Sequence, residues 1–195
     1  PIYIHRPDRK SDETRYQTVY ADDKKARAVA APTAGLHFTK TILEKLQKKD
    51  VKIIPITLHV GYGTFKTIKA DNIDDHTVDP EFAEISKSAS NALNKVRKAG
   101  GKIYAVGTTA VRTLESAPIV DGLIQPFAAA TDLYIKPGDQ FKVDDRLITN
   151  FHLPKSSLII LVAAFAGRET ILDAYRVAVE EKYRFYSYGD CMLIL

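Results

Sequence analysis

The stretch Lys102-Ile103-Tyr104-Ala105-Val106-Gly107-Thr108-Thr109-Ala110-Val111-Arg112 decides the fold of this 195-residue chain. Its first five residues read as a buried strand, and a short helix is expected over 109–116. The glycine between them lets backbone approach a ligand closely. The helix start beyond it offers free N–H groups and a positive dipole end. Thr108 or Thr109 is expected to cap that helix. Arg112, near its first turn, suits a bidentate clamp on a carboxylate or phosphate. The same residues also fit a plain capped helix with an Arg112–Glu115 surface pair.

Outward from this junction, strands and helices alternate. Phe38, Ile42, Leu43 and Leu46 recur at helical spacing over 37–49, with lysines on the other face. The β-branched run 51–60 predicts a strand, and 64–78 a loop. Phe82, Ile85, Ala89, Leu93 and Val96 predict an amphipathic helix over 81–99, stopped by Gly100-Gly101. Strands are expected over 127–135 and 146–151, with a turn at Pro137-Gly138 between them. Two helices, 156–166 and 169–182, break at Gly167, and 192–195 reads as a final strand. This alternation predicts an α/β fold: a layered mixed sheet flanked by helices, with the site on loops at strand ends. Residues 1–15 are polar and irregular, a linker or incoming arm.

Composition sets further bounds. With 45% hydrophobic and 27% charged residues, the chain suits one soluble globular domain. A net charge of +4 is compatible with an RNA partner without requiring one. Cys191 is the only cysteine, which excludes an intramolecular disulfide and a Cys-rich metal site. The apolar run 158–166 is too short to span a membrane and predicts a buried helix. No secretory signal is visible, so the cytoplasm is the default. The first residue is Pro1, as expected of a piece of a longer protein. His5, His37, His59, His76 and His152 lack the i, i+4 spacing of a helical metal site, and no metal is expected.

Three further junctions pair glycine or proline with reactive side chains. In His59-Val60-Gly61-Tyr62-Gly63-Thr64-Phe65, two glycines follow a strand without the pattern of a dinucleotide fingerprint. His59 there is either a catalyst or a satisfied structural residue. In Thr149-Asn150-Phe151-His152-Leu153-Pro154-Lys155-Ser156, Asn150 and His152 share a face if the strand persists. Asn suits a base edge or ribose, and His moves protons near neutral pH. A turn with Ser156 or Ser157 as cap explains the segment equally. Ala31-Pro32-Thr33-Ala34-Gly35-Leu36-His37-Phe38 is a tight loop offering a hydroxyl and an imidazole, or simply a turn with an exposed His. Finally, Tyr183-Arg184-Phe185-Tyr186-Ser187-Tyr188-Gly189-Asp190 suits stacking on bases and cations, or filling a core.

Taken in order, these segments resemble the S-adenosylmethionine:tRNA ribosyltransferase-isomerase family, from about Tyr16 to Leu195. Tyr16-Gln17-Thr18-Val19-Tyr20-Ala21 and Thr131-Asp132-Leu133 belong to the same resemblance. It implies the large α/β domain of that family, 16–195 being its catalytic part, without the N-terminal segment and inserted β-barrel domain that precede it in longer members. It implies transfer and isomerisation of the ribosyl group of S-adenosylmethionine onto 7-aminomethyl-7-deazaguanine at the wobble position of tRNA. Adenine and methionine leave, and epoxyqueuosine forms. The implied partners are tRNA and S-adenosylmethionine, the latter as ribosyl-donor substrate. The implied setting is a metal-free monomer in the cytoplasm. A non-catalytic RNA- or nucleotide-binding remnant of the fold is the alternative.

The catalytic candidates are then His37, His59, His152 and Asp190, with His76 behind them as a further possible base. The substrate-binding candidates are Thr33, Gly35, Gly61, Gly63, Thr64, Gly107, Thr108, Thr109, Arg112, Asp132, Asn150, Arg184 and Tyr188. Three positions depart from the family pattern. Asp79 stands where a His is frequent, Ala110 where a Ser is usual, and Arg27 where a Gly is usual.

Overall fold

The computed structural model describes residues 6–7 and 9–195. In chain order its elements begin with α1 (Lys10–Arg15), α2 (Lys40–Gln47), β1 (Thr57–His59), β2 (Glu81–Ile85) and α3 (Lys87–Lys98). There follow β3 (Tyr104–Val106), α4 (Thr108–Glu115), β4 (Ile119–Val120), β5 (Leu123–Ile124) and β6 (Phe127–Thr131). The last are β7 (Arg146–Asn150), α5 (Ser157–Ala166), α6 (Arg168–Glu180) and β8 (Cys191–Ile194).

The result is the expected mixed α/β architecture, with its strands divided between small sheets. One three-stranded sheet runs β1-β2-β6, antiparallel throughout, with Leu58 opposite Ala83 and Ala83 opposite Ala129. A second runs β3-β7-β8. Its β3 and β7 are parallel, with Ala105 beside Leu147, and β7 and β8 are antiparallel, with Asn150 beside Cys191. Parallel neighbours need a long crossover, and here it carries α4, the β4–β5 hairpin and β6. Helix α4 packs on β1 and β2 of the first sheet and on β3 and β7 of the second. Val111 and Leu114 on α4, Ile85 on β2, Leu147 on β7 and Leu161 and Val162 on α5 meet in one core.

Several expectations are corrected. The stretch 81–99 is not one helix. Glu81, Ala83 and Ile85 are buried while Phe82 is exposed, a two-residue period that pairs β2 between two strands. The helix begins only after Ser86, whose Oγ accepts the Ala89 N–H at 3.2 Å. Within 51–60 only Thr57–His59 pairs; Pro55, which brings no donor, lies just before it. The strand expected over 127–135 ends at Thr131, whose Oγ1 accepts the Leu133 N–H at 3.2 Å. Neither Thr108 nor Thr109 caps α4. Gly107 occupies the cap position at φ 93°, where a side chain is strained, and both threonines lie inside the helix. Residues 10–15, read as irregular, form α1. Of the rest of the expected arm, 1–5 and 8 lie outside the described residues. The β4–β5 hairpin turns at Asp121-Gly122, an Asp-Gly pair that the sequence reading passed over.

Leu147, with no exposed surface, lies on β7, the central strand of its sheet. Leu147→Ala is expected to lower unfolding free energy by about 2–5 kcal/mol, measured by urea denaturation. A loss below about 1 kcal/mol would contradict a single core shared by both sheets.

Candidate active site

The C-terminal ends of the parallel pair gather one group of side chains. The Gly107 N–H donates to Ile148 O at 2.8 Å, holding the end of β3 against β7. A 3-10 turn, Thr33–His37, packs against β7, and a Cβ added at Gly107 would lie 3.7 Å from the Ala34 Cβ. Gly35 is buried so tightly that a Cβ there would meet Tyr20 Oη at 2.0 Å. Asn150, the last residue of β7, is 3% exposed. Its amide lies 3.2 Å from Thr33 Oγ1 and 3.2 Å from His37 Nε2. Its Nδ2 also faces Gly189 O at 3.5 Å and Asp190 O at 3.4 Å.

Asp190, immediately before β8, adjoins this group. Its carboxylate accepts the Arg184 guanidinium at 2.9 Å and the Arg184 backbone N–H at 2.8 Å. The hydrogen bond from the Arg184 side chain, then that from its backbone, holds the Asp190 carboxyl below the usual range, and the His37 ring adds to the effect. Asp190 is therefore ionised at neutral pH. Tyr188 packs its ring 5.8 Å from that of Tyr16. The segment 183–190, for which a core strand was the plain alternative, is a loop tied across its ends.

A second group forms around Glu81, which the sequence reading had placed in a helix. It is 4% exposed at the start of β2. Its Oε1 accepts the Gly61 N–H at 2.7 Å and the Thr64 hydroxyl at 2.6 Å. Its Oε2 accepts a hydrogen bond from Arg112 Nη1. Arg112 Nε donates to Leu133 O at 3.2 Å. The carboxylate that Arg112 clamps is thus internal, and the Arg112–Glu115 surface pair does not form. Glu115 is itself buried and accepts the N–H groups of Lys142, Val143 and Asp144 at 2.8, 2.8 and 3.1 Å. The signal for Glu81 was a carboxylate opening an alternating buried pattern, hidden by the helical spacing that follows it.

Among the described residues, His59, His76 and His152 make their contacts away from the Asn150 group. His59 stacks on Phe82 with ring centroids 5.5 Å apart. His76 meets Tyr134 edge-on at 5.2 Å. His152 does not share a face with Asn150, because β7 ends at Asn150. Its Nε2 pairs with Thr149 Oγ1 at 2.8 Å, and its backbone N–H donates to Tyr175 Oη at 2.7 Å. Desolvation holds the His152 imidazole down at about 4 and pushes the Tyr175 phenol up to about 12. Asp79 lies against Gly63 and pairs with Lys66 at 2.7 Å. Asp132 is exposed, one residue past β6. Among the described residues, no three His, Cys, Asp or Glu side chains converge on a metal-sized site, and no helix is long and apolar enough to cross a membrane.

The α/β scaffold thus brings Thr33, His37, Asn150 and the backbone of 189–190 together at one end of its second sheet. Residues 1–194 match the family described as "Queuosine biosynthesis protein", and the chain belongs to that family. It is 53% identical over all 195 residues to the S-adenosylmethionine:tRNA ribosyltransferase-isomerase of Aquifex aeolicus (strain VF5), of which it covers 56%. It also resembles the crystal structure of the S-adenosylmethionine tRNA ribosyltransferase from Thermotoga maritima. That likeness has a TM-score of 0.68 and 44% identity, and covers 84% of this chain and 51% of that one. The chain therefore spans about half the length of these relatives.

Two outcomes test this geometry. Glu81→Ala, which leaves the 7%-exposed Arg112 without its carboxylate, is expected to cost about 3–5 kcal/mol in chemical denaturation. His152 is expected to make stability pH-dependent. The unfolded imidazole takes up a proton near 6.5 and the folded one only near 4. Unfolding free energy then falls as pH drops from 6.5 toward 4, by on the order of 3 kcal/mol. His152→Gln should flatten that slope relative to wild type, and equal slopes in both would refute it.

Proposed function

We propose that this chain provides the ribosyl-transfer site of a tRNA-modifying enzyme. The reaction moves and isomerises the ribosyl group of S-adenosylmethionine onto the aminomethyl group of 7-aminomethyl-7-deazaguanine at the wobble position, forming epoxyqueuosine and releasing adenine and methionine. The observation that carries this reading is the convergence of Thr33, His37, Gly107, Asn150 and Asp190 at one end of β3 and β7, in a chain 53% identical to a ribosyltransferase-isomerase. In this reading residues 16–195 are the α/β catalytic part, acting as a monomer in the cytoplasm without a metal.

The chemistry assigns work to each group. The sulfonium of S-adenosylmethionine is a cation and seeks a carboxylate or an aromatic face. Asp190, kept ionised by Arg184, and the neighbouring Tyr188 ring suit it. The methionine carboxylate suits the first N–H groups of α4, at Thr108 and Thr109, since helix starts leave such donors free. This replaces the Arg112 side chain as the primary anchor, because Glu81 already engages it. The sulfonium also acidifies the adjacent ribose 5′ carbon, whose proton a base must remove. Departing adenine gains negative character on its ring nitrogens and is stabilised by hydrogen-bond donors. In this reading the His37 ring supplies such a donor.

The test is adenine release from S-adenosylmethionine, with and without tRNA carrying 7-aminomethyl-7-deazaguanine. It uses this chain and a longer protein spanning the family's full length. Release that depends on the modified tRNA in either protein is expected, and His37→Ala should reduce it about 100-fold. Binding of the tRNA without release in either protein would replace this reading with a binding module.

A further inference from the structure

We propose that Asn150 is a positioning residue that fixes the tautomer of His37, leaving its single ring proton on Nδ1. Four groups surround the Asn150 amide. Gly189 O and Asp190 O are carbonyl oxygens and can only accept. They face the nitrogen end of the amide, because turning the amide over would set its oxygen against both of them. The oxygen end then meets the Thr33 hydroxyl, which can donate to it. With the orientation settled, the remaining contact is also settled. Asn150 Nδ2 donates to His37 Nε2, 3.2 Å away. A nitrogen that accepts must keep its lone pair, so the neutral ring carries its hydrogen on Nδ1.

Burial makes this constraint firm. Asn150 is 3% exposed, so reversing its amide would leave buried donors and acceptors unpaired, at a cost of about 1–3 kcal/mol. Its neighbours come from two separate segments, the 33–37 turn and the loop before β8.

The tautomer sharpens the role of His37, and this step rests on the ribosyl-transfer reading above. With Nε2 occupied by an amide donor, the ring has no free lone pair with which to take the ribose 5′ proton. Nor does it transfer its Nδ1 proton outright, since a neutral imidazole losing that proton becomes an imidazolate. What remains is a hydrogen bond donated from Nδ1 to a group that becomes more negative during the reaction, with the proton staying on the ring. Departing adenine, whose glycosidic electron pair passes onto the purine, is such a group. The base is therefore a residue other than His37.

Nitrogen NMR of the full chain with isotopically labelled histidine reads the tautomer directly. The expected result is a His37 ring with protonated Nδ1 and bare Nε2 at neutral pH. A His37 ring bearing its proton on Nε2 overturns the proposal in the wild-type protein alone, whatever any variant does. Asn150→Ala should abolish the preference while other histidine signals hold their positions. In the longer protein, Asn150→Ala should lower kcat for adenine release about 100-fold, with KM for S-adenosylmethionine little changed. An unchanged kcat refutes the positioning role. If the wild-type longer protein releases no adenine with the modified tRNA, the ribosyl-transfer reading fails, and the NMR result still decides the tautomer.

Discussion

The buried pair of Arg112 with Glu81 is the constraint on which the arrangement of this molecule turns. Removing two charges from water is expensive, and the cost is offset only where further hydrogen bonds complete the site. Here those bonds come from different parts of the chain. Glu81 receives the Gly61 amide and the Thr64 hydroxyl, and Arg112 reaches Leu133 O. One ion pair thus connects the loop after β1, the start of β2, the middle of α4 and the segment after β6. The other end of α4 is fixed in the same manner, by the Glu115 carboxylate and the backbone of 142–144. A helix pinned by two buried carboxylates keeps its N-terminus steady. That N-terminus adjoins the Thr33–His37 turn and the end of β7.

The candidate site itself is built differently. Around Asn150 the amide meets a hydroxyl, an imidazole and two backbone carbonyls, with no carboxylate among its hydrogen-bond partners. The formal negative charge beside them is that of Asp190, and its partner Arg184 is largely solvent-exposed. An exposed pair of this kind contributes little to stability. Its effect is on geometry and charge state, because it ties the ends of the 184–190 loop and keeps Asp190 ionised. The division of labour is physical. One desolvated ion pair and one backbone-bonded carboxylate hold the scaffold, while the Asp190 carboxylate pairs with an exposed cation at its edge.

Much of this was legible in the sequence, and the failures have identifiable causes. The strand–glycine–helix junction at 102–112 was readable because period, glycine and helix spacing agree there. Gly167 between α5 and α6 was equally plain. The 81–99 stretch misled because Phe82 and Ile85 fall by chance on the helical face that Ala89, Leu93 and Val96 continue. The two-residue alternation of β2 needs the buried charge of Glu81 to complete it. A charged residue at a core position is intelligible only once its partner is known, and Arg112 lies 31 residues away. The family segments were recognisable from their residues. Which of those residues meet was not, since His37 and Asn150 are separated by 113 positions.

The contrast between Asn150 and His152 shows how the end of a strand assigns roles. Had β7 continued, the pleat would have turned both side chains to one face and offered a paired amide and imidazole to a ligand. It stops at Asn150, the last residue with a β8 partner. The chain then turns, and His152 is captured by Thr149 and Tyr175 within the fold. An imidazole whose desolvation keeps it neutral to about pH 4 is a poor proton acceptor at neutral pH. Its effect is to lock the turn that places Asn150. His37 is left as the imidazole that shares a cluster with an ionised Asp190. The fold thus sets His152 apart from Asn150 by a single event, the loss of β pairing past Asn150.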